Sequence, residues 1–159
     1  ARKESWWENV RLTVYTDYSL RVLMYLGVRG QNHLATIQEI ADTYQISKNH
    51  LMKVTYDLGK HGLIETIRGR GGGIRLAVPP EEINLGAVVR KTEEDFHLVE
   101  CFNTESNLCK ISAECQLKHA LNEALLAYLA VLDKYHLSDF LQSTDSLLAL
   151  LGISSESKV

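Results

Sequence analysis

After Arg11 the apolar residues fall into a helical rhythm, with Tyr18, Leu20, Val22, Leu23, Tyr25 and Leu26 returning to one face,. Thr16 or Asp17 is placed at the start of this helix and Gly30 at its end,. A second helix, about Thr36 to Tyr44, turns Ile37, Ile40 and Ala41 inward. After Gln45-Ile46, Ser47 is positioned as the N-cap of a third, whose inward residues Leu51, Val54 and Leu58 are spaced three and four apart,. The period then shortens. Leu63 to Ile67 and Ile74 to Ala77 read as strands, joined by the turn Arg68-Gly69-Arg70-Gly71-Gly72-Gly73,. A helix, a tight turn, a second helix and a hairpin make a winged helix-turn-helix over residues 11–80, closed by Pro79-Pro80,.

Beyond the prolines, Ile83, Leu85, Val88 and Val89 predict a short connecting helix that ends at Arg90-Lys91. From Cys115 to about Lys134 the residues Leu117, Leu121, Ala124, Tyr128, Val131 and Tyr135 recur at steps of three and four. This helix is longer than a small winged domain requires, and its alanines suit close packing against a second copy, so it is expected to be a dimerisation helix. Ser138 is expected to cap a short segment with Phe140 and Leu141, and Leu147 to Leu151 to form a last turn. The fold class expected is mainly α with a β-hairpin wing: a winged helix-turn-helix plus a long dimerisation helix. Around it, residues 1–10, with Trp6-Trp7, form an extension, native or left from expression. Residues 81–114 carry the connecting helix and a cysteine-rich loop, 115–153 the long helix and C-terminal segment, and 154–159 a tail.

Composition adds two things. With 159 residues, 45% of them hydrophobic, the chain can bury the core of one domain with an appendage, and no apolar run is long enough to cross a bilayer,. The net charge of -3 argues against a uniformly basic coat, yet the charge is split. From Ser47 to Arg75 six basic residues face two acidic ones, whereas from Thr92 to Asp145 three lysines face ten acids. A DNA-binding half joined to a sensing or assembly half has this asymmetry. The candidate DNA contacts are Lys48, Asn49, His50 and Lys53 on the third helix and Arg68, Arg70 and Arg75 on the wing,. A nucleotide-phosphate loop is the competing reading of the glycines. It fails because a strand follows them and no Gly-Lys-Ser/Thr is present,. The run Glu93-Glu94-Asp95 reads as a solvated linker face. With no nucleophile-base pair and no nucleotide fingerprint, an enzyme is not expected.

All three cysteines, Cys101, Cys109 and Cys115, lie within fifteen residues, separated by seven and then five, in a loop rich in Asn, Ser, Thr, Glu and Lys. Core packing does not explain such clustering. Three thiols cannot pair off, and no secretory leader is evident, so a reduced, cytoplasmic setting is expected. There the thiolates suit an iron-sulfur cluster or a tetrahedral zinc, each one ligand short, or else serve as free redox-sensing thiols.

Four stretches together carry a resemblance: Arg11-Leu-Thr-Val-Tyr-Thr-Asp17-Tyr-Ser-Leu-Arg21, Ser47-Lys-Asn-His-Leu-Met-Lys53, Arg68-Gly-Arg-Gly-Gly-Gly-Ile-Arg75, and the three cysteines in their spacing. The chain resembles the nitric-oxide-sensing repressors within the family of dimeric winged-helix iron-sulfur regulators, over roughly Arg11 to Leu141. The resemblance implies a homodimer on a palindromic double-stranded DNA operator. It also implies a four-iron four-sulfur cluster (4Fe-4S) in each subunit, with a two-iron form (2Fe-2S) as the alternative. Cys101, Cys109 and Cys115 would be its ligands, with Asp17 of the partner subunit as the fourth, and nitric oxide would be the signal that lifts repression. The related iron-sulfur-assembly repressor places a histidine three positions after its last cysteine, where this chain has Lys118. His119 is one residue on, turned by about 100° on a helix, so His97 and His119 rank below Asp17. His33, His50, His61 and His136 are expected at the surface or on the DNA side.

Overall fold

The computed structural model describes residues 11–154; the expected extension 1–10 and most of the tail lie outside them. The helices are α1 (Val14–Arg29), α2 (Ile37–Tyr44), α3 (Lys48–Lys60), α4 (Leu85–Thr92), α5 (Gln116–Leu132) and α6 (Thr144–Leu150); the strands are β1 (Ile64–Ile67) and β2 (Gly73–Leu76). The architecture is the one expected, mainly helical with a two-stranded antiparallel wing.

Helix α1 begins earlier than its apolar rhythm suggests. Thr13 is the N-cap, its hydroxyl oxygen accepting the Thr16 N–H at 3.3 Å, whereas Thr16 is wholly buried and Asp17 lies in the first turn. Helix α2 starts on a reciprocal capping box: the Thr36 hydroxyl accepts the Glu39 N–H, and the Glu39 carboxylate accepts the Thr36 N–H,. Ser47 precedes α3 as expected, without a side-chain bond to the helix. Leu51, Val54 and Leu58 close against Val22, Leu23 and Leu26 of α1, all at most 2% exposed.

The wing pairs Ile64 with Leu76 and Ile67 with Gly73. It is tied to the helices by Ala35, which exchanges backbone hydrogen bonds with Ile74. Its turn depends on glycine: Gly69 and Gly71 have φ of 102° and 76°, and a Cβ on Gly72 would lie 2.2 Å from the Ile67 carbonyl oxygen. Gly72→Ala is therefore expected to force the turn open at a cost of about 1–3 kcal/mol. Faster amide exchange at Ile67 and Gly72, with α1 protection unchanged, is the result to look for.

Ile83 lies outside the connecting helix, yet it is 1% exposed in the core. The segment after α5 returns to it: the Leu137 N–H donates to the Ile83 carbonyl and the Leu85 N–H to that of Tyr135. Here the short helical turn Leu137–Phe140 is capped by His136 and Asp139, not by Ser138 as expected. Both are local competitors for the same free N–H groups, and Asp139 reaches back to the His136 N–H at 2.7 Å. His33 also departs from its expected surface role. It is half-buried between Arg29 and Glu39, with Arg29 Nη2 2.7 Å from its Nε2 and Glu39 Oε1 3.2 Å from the same nitrogen. Tyr25 completes this group by donating to Glu39 at 2.5 Å, and burial followed by that bond pushes its phenol up to about 12.

Candidate nucleic-acid interface and cysteine segment

Four buried residues of α3, Leu51, Val54, Thr55 and Leu58, define its inner side. At about 100° per residue, the opposite side carries Asn49, Lys53, Tyr56 and Lys60, all exposed. Of the four candidates, Asn49 and Lys53 point most directly outward, and Lys48 is exposed at the first residue of the helix, about 100° round from Asn49,. His50 is turned toward α1, its ring centroid 6.0 Å from that of Tyr18. Tyr56, 68% exposed with Lys60 Nζ 5.6 Å from its ring centre, belongs to the same outward stripe. The local pattern did not single it out, although its place seven residues after Asn49 carries that information.

On the wing, Arg68 and Arg70 are exposed, and among the described residues neither forms an ion pair. Arg75 is engaged, its Nε donating to Glu65, the cross-strand neighbour, at 2.6 Å. An anion on the wing therefore finds two free guanidinium groups at the turn and one already neutralised on the strand.

The cysteines occupy the segment between α4 and α5. Cys101 sits in a short helical turn, Glu100–Phe102, and Cys115 is the N-cap of α5. Both are half-buried, Cys109 is exposed, and none is in a disulfide. Short-range bonds shape the segment: Asn103 accepts the Glu105 N–H, Asn107 the Cys109 N–H, and Glu100 the Leu108 N–H. Among the described residues no three His, Cys, Asp or Glu side chains converge on one metal-sized point. The donor chemistry nevertheless fits an iron-sulfur group in part: three thiols in polar surroundings supply three of the four ligands such a group takes, and the fourth has to come from another side chain,.

The two lesser candidates share a location. His97 and His119 line an open cleft of about 460 Å³ with Cys101 and Phe102, while Cys109, Cys115 and Asp17 lie outside it. Asp17 is instead held along its own helix, its carboxylate accepting from Arg21 Nε at 3.2 Å and pairing with Nη2 at 2.9 Å. That hydrogen bond raises the Arg21 pKa above its usual value.

Helix α5 buries only Leu129. Leu117, Tyr128 and Val131, 44–66% exposed, share one side of the helix, an apolar strip left uncovered by the other described residues, and Leu126 is exposed on the opposite flank,. At its C-terminal end, α5 is joined to α4 by an exposed ion pair of Arg90 with the C-cap residue Asp133, for which Gly86 leaves room. No helix among the described residues is long and apolar enough to cross a membrane.

A comparison with known proteins gives this arrangement its context. Residues 12–143 match the Rrf2 family model, described as an iron-dependent transcriptional regulator. The HTH-type transcriptional regulator NsrR of Bacillus subtilis (strain 168) is 62% identical over 142 residues, covering 89% of this chain and 97% of that protein. The structure of CymR, the global cysteine regulator of B. subtilis, superposes with a TM-score of 0.63 at 25% identity, covering 82% of this chain and 95% of its own. IscR of T. potens shares the fold at a TM-score of 0.68 and 21% identity, over 87% and 91% of the two chains. The chain belongs to the Rrf2 family of iron-dependent transcriptional regulators and is a winged-helix regulator of transcription, not an enzyme.

Proposed function

We propose that the protein is a homodimeric repressor that senses nitric oxide through an iron-sulfur cluster held in the cysteine segment. The observation that carries this reading is the pairing, in one chain, of a DNA-reading surface with three free thiols on a separate segment. The 62% identity to a protein named NsrR supports the choice of signal.

Cys101, Cys109 and Cys115 would hold the cluster, of the 4Fe-4S type with 2Fe-2S as the alternative, and Asp17 of the partner subunit would complete the ligand set. When bound, the cluster supplies iron that a small diatomic molecule can attack. A carboxylate is a weaker ligand to such iron than a thiolate and is more readily displaced. The exposed apolar face of α5 is where a second copy would pack, placing two α3 helices at the spacing of successive major grooves, about 34 Å. Asn49, Lys53 and Lys48 would then meet a palindromic operator, with His50 at the edge. Arg68 and Arg70 would reach phosphates or a minor groove, and Arg75 would contribute less because Glu65 holds it,. Asp17, as a ligand across the dimer, would tie the two winged domains to that spacing, and without that tie they would lose it; a preference of a few kcal/mol is enough for a large change in occupancy. The reading places the protein in a reducing, cytoplasmic setting, where thiolate ligands would persist.

Protein purified without oxygen is expected to be coloured, to contain iron and sulfide, and to release its operator on titration with nitric oxide. Asp17→Ala should keep the fold and the dimer while making the cluster more labile. Colourless, iron-free protein with undiminished and nitric-oxide-indifferent DNA binding would replace this reading with a thiol or zinc sensor on the same DNA-binding domain.

A further inference from the structure

Two hydrogen bonds from Thr13 end on one carboxylate 80 residues away. The Thr13 N–H donates to Glu93 Oε1 at 2.8 Å, and its hydroxyl to the same oxygen at 2.9 Å. Because Thr13 is the N-cap of α1, Glu93 lies where the free N–H groups and the positive end of the helix dipole gather,. Glu93 is itself the C-cap of α4. A single side chain thus joins the end of α4, where the cysteine-bearing segment begins, to the start of α1. The acidic run expected to be a solvated linker face contains, at its first position, a tertiary helix cap.

The connection continues into α3. Two residues after the cap, Tyr15 OH donates to Asp57 Oδ2 at 2.5 Å, and Lys53 Nζ lies 5.7 Å from the centre of the same ring. Burial and the Asp57 bond both raise the Tyr15 pKa, so the phenol stays protonated and keeps its role as donor,. Tyr18 lies against His50. Three positions along α3 therefore rest on the first turns of α1. Thr16 and Ser19, both fully buried, prevent that part of α1 from rolling independently of the core.

We propose that Glu93 is a positioning residue for DNA recognition: by capping α1 it fixes Tyr15, and through Asp57 and Lys53 it sets the roll of α3, hence which side chains face the bases. This rests on reading α3 as the recognition helix. Base-edge contacts need an exact roll, whereas phosphate contacts made by long flexible cations tolerate a change of several degrees. The signature is a loss of sequence discrimination without a loss of general DNA affinity.

The test uses the full chain and a duplex selected from random-sequence DNA by the wild-type protein, with an unrelated duplex of equal length as reference. Glu93→Ala is expected to weaken binding to the selected duplex roughly tenfold, the scale of one charge-assisted hydrogen bond, while binding to the unrelated duplex stays unchanged. Tyr15→Phe, which keeps the ring under Lys53 and removes the bond to Asp57, should behave alike. The double variant should be no weaker than the weaker single, because both act on one path. If Glu93→Ala lowers the melting temperature too far, Glu93→Gln, with an acceptor oxygen at the same reach, is measured in its place and should show a smaller loss of the same kind. Equal losses on both duplexes, no loss on either, or losses that multiply in the double variant would overturn the proposal. A wild-type protein that selects no sequence would instead overturn the reading of α3; wild type and Glu93→Ala retaining the same preference overturns the relay alone.

Discussion

Leu51→Ala is expected to destabilise the protein by about 2–5 kcal/mol, the cost of removing a buried leucine side chain and leaving a cavity. Leu51 has no exposed surface and sits in the core among Val22, Leu26 and Ile40. A domain of this kind holds ~5–15 kcal/mol in total, so one truncation removes a large share of it. The same helix offers its own control. Asn49, two residues earlier, faces outward and is exposed, so Asn49→Ala should leave stability within about 0.5 kcal/mol of wild type and cost about 1–3 kcal/mol in specific binding. Urea unfolding and operator binding measured on both variants separate the two sides of α3. A Leu51 variant as stable as wild type would mean that the core is not built on this face.

The contrast between these two residues shows how much of the fold is written locally. The inward spacing of Leu51, Val54 and Leu58, the glycines between two short apolar runs, and the cysteines crowded into fifteen residues are all readable in sequence order. The three-and-four recurrence on α5 also predicted its uncovered apolar face. Features that depend on partners distant in the chain were not readable. Thr13 is no better a cap candidate than Thr16 until Glu93 arrives from 80 residues away. His33 gives no local sign that Arg29 and Glu39 enclose it. Arg75 looks as free as Arg68 and Arg70 until the strand register places Glu65 opposite it. The candidate site divides in the same way: the crowding of three thiols is legible from spacing, whereas the ligand proposed from the partner subunit would be a relation between two chains.

That register governs the prediction on the wing. Replacing Arg68 and Arg70 together by alanine is expected to weaken DNA binding on the order of 100-fold at low salt, taking each as one charged contact. The dependence of log K on log salt should become shallower by about 1.8, since each neutralised phosphate contributes about 0.9. Specific and unrelated duplexes should lose affinity alike, because a phosphate carries no sequence. This is the reverse of what Glu93→Ala should do, so the two variants measured side by side separate the grip on the backbone from the reading of the bases. Arg75→Ala supplies the comparison within the wing. Its guanidinium is already paired with Glu65, so it has less to offer a phosphate, and its removal also leaves Glu65 as an unpaired negative charge on the strand. A slope nearly equal to wild type, with a modest uniform loss from that repulsion, is expected. If Arg75→Ala flattened the slope as much as the double variant does, the Glu65 pair would have to open on DNA, and the wing would engage through its strand as well as its turn.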